Sequence, residues 1–114
     1  MSIAKRYLDA VAGHDWTVAE ECVAAGVRRV GPFGDVFEGR DAYISFLRDL
    51  MPTLAGYSMT IHRVLECDGG STVMVELNEK VEMDGKVIDT PECLVFDLDD
   101  GGLIRIITIY IQRH

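Results

Sequence analysis

The sequence is 114 residues long, 48% hydrophobic, and carries 19 acidic against 11 basic residues, a formal net charge of -8. That length suits one domain, 1–114, able to bury a core without cross-links. The apolar excess, a mean hydropathy of +0.12, points to a lined cavity or a covered subunit face besides the core. The acidic balance argues against nucleic-acid binding, which needs a basic footprint to release counterions, and against anionic membrane surfaces.

Ile3, Tyr7, Leu8, Ala10 and Val11 recur at helical spacing, predicting an amphipathic helix over 2–13 that ends near Gly13. Asp15 reads as the N-cap of a shorter helix holding Trp16, Ala19, Cys22 and Val23 and stopped by Gly26. Short strands follow over 27–31 and 35–38, around Gly31-Pro32-Phe33-Gly34. After Gly39-Arg40-Asp41, a wide stripe of Tyr43, Phe46, Leu47, Leu50, Met51 and Leu54 predicts a third helix, ended or kinked by Pro52. From Tyr57 the period switches to two. Strands are predicted over 57–67, 72–83, 86–98 and 103–113, with Asp84-Gly85 a strong two-residue hairpin signal. Helices first and strands second give an α+β class: a curved antiparallel sheet wrapped around three N-terminal helices.

Alternation assigns the faces. Val73, Val75, Leu77 and Glu79 share the inner face of one long strand; Thr90, Glu92, Leu94 and Phe96 share that of the next. The hairpin register sets Glu92 opposite Leu77 and Thr90 opposite Glu79, so the two glutamates are diagonal neighbours about 7–8 Å apart. Two carboxyls on one apolar face raise each other's pKa through desolvation and like charge. The last strand is apolar on both faces. Ile106, Thr108 and Tyr110 are assigned to the pocket, and Ile107, Ile109 and Ile111, with Cys93 and Val95, to an outer face that a homodimer would cover. Only one of the adjacent Arg28 and Arg29 can point inward, where it would most simply pair with a glutamate.

His14, His62 and His114 lie far apart and match no metal-site spacing, so neither a metal nor another cofactor is expected. Cys22, Cys67 and Cys93 are an odd number without CxxC pairing, the pattern of reduced thiols in a cytoplasmic protein. No stretch approaches the roughly 18 apolar residues of a membrane span.

Arg6-Tyr7-Leu8, Gly13-His14-Asp15-Trp16, Phe37-Glu38-Gly39-Arg40-Asp41-Ala42, Leu94-Val95-Phe96-Asp97 and the closing apolar strand resemble the nuclear-transport-factor-2-like (cystatin-like) superfamily along nearly the whole chain. That cone-shaped fold also hosts ketosteroid isomerases, limonene epoxide hydrolases and SnoaL-like polyketide cyclases. The resemblance sets Tyr7 at the isomerases' oxyanion-hole tyrosine and Glu92 near their protonated aspartic acid. Where their general-base aspartate belongs, beside Pro32, stand Val30 and Gly31. Against the epoxide hydrolases, the Arg and Asp pair aligns with Lys80-Val81-Glu82, whose charged members point outward, and the second Asp falls near Thr108.

A pocket is expected with aliphatic walls from Val73, Val75, Leu77, Leu94, Phe96 and Ile106, closed by Phe46 and Met51. Thr90, Thr108 and Tyr110 also contact the ligand, and Tyr7, Glu79 and Glu92 carry the chemistry. The reading is an acid–base enzyme on a small apolar cyclic molecule. A non-catalytic small-molecule binder and a dimeric interaction module are the alternatives.

Overall fold

A computed structural model describes residues 2–112. Helix α1 spans Ile3–Ala12, its first turn capped by the Ser2 hydroxyl, which accepts from the Lys5 amide at 3.1 Å. Ala4, Tyr7, Leu8 and Val11 form its buried stripe. Asp15 caps α2, Trp16–Cys22, by accepting from the Val18 amide at 3.2 Å. The sheet strands are β1 (Val23–Val30), β2 (Val36–Glu38), β3 (Ser58–Cys67), β4 (Thr72–Met83), β5 (Lys86–Leu98) and β6 (Ile104–Ile111). Helix α3, Arg40–Leu50, precedes a single 3-10 turn, Met51–Thr53, in which Pro52 ends the α-helical pattern.

Gly26 does not stop α2. The helix gives way at Val23, whose backbone is already extended, and Gly26 lies inside β1. A buried β-branched residue prefers the pleated state, and Val23 pairs with Ile104. The register slips between Val23 and Arg28, so the glycine sits in an irregular stretch of strand.

The strands form one curved sheet in the order β2-β1-β6-β5-β4-β3. It is mixed, not wholly antiparallel, because β1 runs parallel to β6 while every other neighbouring pair is antiparallel. Asp84 and Gly85 both take positive φ (52° and 75°), as a type I′ turn requires, and this fixes β4 against β5 without a slip. Leu77 faces Glu92 and Glu79 faces Thr90, as the hairpin arithmetic predicts.

The β6 assignment is corrected. The β5–β6 register shifts between Asp97 and Leu98, and beyond it Phe96 lies opposite Ile107, Leu94 opposite Ile109 and Glu92 opposite Ile111. Directly opposed residues share a face, so Ile107, Ile109 and Ile111 point inward with the core strands. Ile106, Thr108 and Tyr110, paired with Asp97, Val95 and Cys93, point outward. The one extra residue, Arg105, inverts the strand beyond it, while Ile104 keeps its inward place opposite Leu98. Arg113, predicted as the strand's last residue, and His114 lie outside the described residues.

Helices α1 and α3 close over the inner face. Tyr7, Ile44, Val73, Val75, Leu77, Phe96, Ile104 and Ile107 are buried, with the Tyr7 ring meeting Phe96 edge-on at 5.9 Å. Cys22, Cys67 and Cys93 are free thiols. Among the described residues no helix is long and apolar enough to cross a membrane.

Candidate functional site

Between α1, α3 and the inner sheet lies a cavity of about 190 Å³, lined mainly by apolar side chains of α1, α3 and the following turn, with Met59, Leu94 and Ile109 from the sheet. Its polar points are Tyr7, Tyr43, Arg29, Glu79 and Glu92.

Glu79 and Glu92 reach it from adjacent strands because β4 and β5 pair without a bulge. The hydroxyl of Tyr57, the residue just before β3, donates to Glu79 Oε2. Burial first, and then Glu79, hold the Tyr57 hydroxyl far above its ordinary range. Glu92 is pushed up to about 9. Burial is the larger cause; the hydrogen bond and like charge of Glu79 add to it, and Arg29 opposes. Glu92 thus holds its proton more tightly than a free glutamate does, beside the Glu79 carboxyl group that accepts from Tyr57.

The Tyr7 and Tyr43 hydroxyls lie 2.5 Å apart in the buried interior. One donates to the other, so a single hydrogen stays free for a further acceptor. Burial raises both above the normal tyrosine range; for Tyr43 the Arg29 guanidinium works against this. Neither serves as an ionised base. They act as neutral donors.

Arg29, rather than Arg28, turns inward. Its Nη1 donates to Asp35 Oδ2 across the β1–β2 turn, and its guanidinium lies 5.6 Å from the Phe46 ring and 5.9 Å from the Phe37 ring. The expected pairing of the inner arginine with a glutamate is corrected: loop closure brings Asp35 to it, while the outer Arg28 faces Glu38 at 3.4 Å. Gly31 makes room for this, since a Cβ there would collide with the Asp35 carboxylate and Arg29 Nη1. At the position beside Pro32, this chain therefore builds an ion pair.

Of the residues expected at the site, Tyr7, Glu79, Glu92, Leu94, Phe46 and Met51 line the cavity. Val73, Val75, Leu77 and Phe96 are buried core beneath it, and Thr90 faces inward opposite Glu79 without lining it. Ile106, Thr108 and Tyr110 are corrected to the outer face, and Ile109, assigned outward, is a cavity wall. Sequence reasoning missed Tyr57 and Tyr43 as polar groups of the site, and it expected one inward arginine without choosing between Arg28 and Arg29. The two tyrosines stood in apolar patterns that hid their hydroxyls, and for Arg29 the available signal was strand alternation opposite Phe37. Among the described residues no group of three or more His, Cys, Asp or Glu is placed to hold a metal ion.

Three helices laid into a curved, unclosed mixed sheet, with an apolar cavity at their junction, define a nuclear-transport-factor-2-like protein. The SnoaL-like domain family matches residues 4–106, and the chain belongs to it. No curated protein matches the sequence. Among solved structures, an LEH-like epoxide hydrolase of M. tuberculosis superposes with a TM-score of 0.81 at 21% identity, covering 96% of this chain and 80% of that one. Bal32a, from a soil-derived mobile gene cassette, gives 0.85 at 19% identity over 96% and 86%. A protein named as a SnoaL-like polyketide cyclase, from Jannaschia sp. CCS1, gives 0.83 at 20% over 96% and 83%. At these identities the likeness is one of fold, and function has to be argued from the site.

Proposed function

We propose that the chain is an acid–base enzyme acting on a small, largely apolar, cyclic molecule in the cavity, by isomerisation, cyclisation or hydration of a strained ring. The observation that carries this reading is the pairing of two inward carboxyl groups from adjacent strands on one apolar wall, with that of Glu92 held above its ordinary range by burial and by Glu79. Glu79, oriented by Tyr57, takes a proton from a substrate carbon or from an attacking water. Glu92 gives its proton to the oxygen on which charge develops, and the free hydrogen of the Tyr7–Tyr43 pair donates to the same oxygen. The net exchange moves one proton on and one off, and Glu79 returns it to Glu92 or to solvent. Structural neighbours that carry hydrolase and cyclase names lend this reading their fold alone.

The test incubates the protein in heavy water with a panel of enolisable cyclic ketones and cyclic epoxides and follows products by mass spectrometry. Carbon-bound deuterium reports proton abstraction, and diol formation reports ring hydration. Glu79→Gln and Glu92→Gln are each expected to cut turnover by about 10²–10⁴-fold. Wild-type rates in both variants overturn the assignment. Tight binding without any turnover identifies a binding protein instead.

The outer face supports a homodimer in the same functional unit. Cys93, Val95, Ile106, Thr108 and Tyr110 cluster there, and Tyr110 is 59% exposed. Ile107, Ile109 and Ile111 play no part in it, because they face inward.

A further inference from the structure

Arg29 has a duty that the acid–base chemistry leaves unused. It lines the cavity, yet its Nε–H is sealed from solvent with no hydrogen-bond partner. Nη1 is committed to Asp35, and the guanidinium face lies against Phe37 and Phe46. An unpartnered buried donor costs free energy in the empty protein. A small turn of the guanidinium toward an entering oxygen breaks no bond at Nε and makes one.

Size and charge narrow the oxygen's owner. An apolar cavity of about 150 Å³ holds benzene, and this one is about 190 Å³. It therefore takes one ring with a few substituents, not a fused polycycle. The titratable groups on its wall besides the two tyrosines are Arg29, Glu79 and Glu92, and Asp35 already offsets Arg29 from behind. An anionic ligand would meet two carboxyl groups without a surplus cation to balance it.

We propose that Arg29 is the specificity-determining group of the cavity, receiving the carbonyl oxygen of a neutral, one-ring substrate. This rests on the acid–base reading for its catalytic meaning but is tested by binding alone. With the oxygen on Arg29, charge that develops there during proton removal by Glu79 is met by a guanidinium N–H already inside a low-dielectric site.

The experiment compares three probes of one shape: isopropylcyclohexenone, isopropylcyclohexene and isopropylcyclohexenecarboxylate. Their affinities are measured by titration calorimetry or ligand-observed NMR on wild type, Arg29→Lys, Arg29→Met and Glu79→Gln. Wild type is expected to prefer the ketone over the hydrocarbon by about tenfold or more, the scale of one charge-assisted hydrogen bond. Both Arg29 variants should lose that preference while binding the hydrocarbon as wild type does, which also reports an intact cavity. Arg29→Lys keeps the charge but not the donor geometry, so it covers the case in which Arg29→Met fails to fold. A ketone preference that survives in the Arg29 variants overturns the proposal. So does tighter binding of the carboxylate, or no binding of any probe to wild type. Because Glu79→Gln removes the proposed base but no donor to the oxygen, it should keep the preference, so failed catalysis and a failed Arg29 assignment give different results.

Discussion

Glu92 is the residue at which burial has its largest chemical consequence. Its carboxyl rises from an ordinary 4.5 to about 9 through desolvation first and Glu79 second. A folded-state pKa above the unfolded one means the fold binds the proton more tightly. Below about 4.5 both states are protonated and the group contributes its full stabilisation relative to higher pH. That contribution is lost progressively as pH rises toward 9, because the unfolded chain ionises freely and the fold does not. Glu92→Gln keeps the shape and removes the titration. It should leave stability near wild type at pH 4 and raise it at pH 8 by on the order of 1–2 kcal/mol, a figure discounted for the part of the side chain that solvent still screens. Thermal melts from pH 4 to pH 9 read this directly. A gain that does not grow with pH would mean that Glu92 is ionised in the fold. Gly31 shows the same economy at one position, since its missing side chain is what admits the Arg29–Asp35 pair.

At the scale of elements, the contrast between β5 and β6 shows what sequence can specify. The Asp84-Gly85 turn demands positive φ at both residues, so the β4–β5 register was legible, and with it the inward placement of Glu79, Glu92 and Leu94. The β6 strand carries isoleucine on both faces, so its pattern holds no phase, and the slip between Asp97 and Leu98 decides which set points inward. The parallel union of β1 with β6 joins segments that are distant in sequence and leaves no local mark at all. The same lack of a local mark concealed the Arg29–Asp35 pairing, which only the closed β1–β2 turn creates. Alanine substitution tests the β6 phase. Ile107, fully buried opposite Phe96, should cost about 2–5 kcal/mol in urea denaturation when cut to Ala. Ile106→Ala, on the outer face, should cost well under half of that. The reverse order would restore the opposite register.

The whole molecule has two apolar surfaces on its sheet, and the helices can cover only one. The inner surface closes on α1 and α3 and forms the core and cavity. The outer one keeps Val95, Ile106, Thr108 and Tyr110 together at its centre, with the Arg63–Glu76 ion pair nearby on the outer side of β3 and β4. Exposed apolar clusters rimmed by charge mark association sites. In the proposed homodimer a second copy would supply the matching patch, since a two-fold contact sets the same surface against itself. The corrected register changes which substitutions test this. Thr108→Glu and Tyr110→Glu place charge at the contact without touching the core, and each should shift the mass measured by light scattering from dimer to monomer. Circular dichroism should remain that of the folded chain. Ile109→Glu, by contrast, buries an unpaired charge in the cavity wall and should unfold the protein or block ligand binding, without a clean monomer as its product. If Thr108→Glu and Tyr110→Glu leave the mass of the assembly unchanged, the outer face is not the interface. The apolar excess of the sequence would then be accounted for by the core and cavity alone.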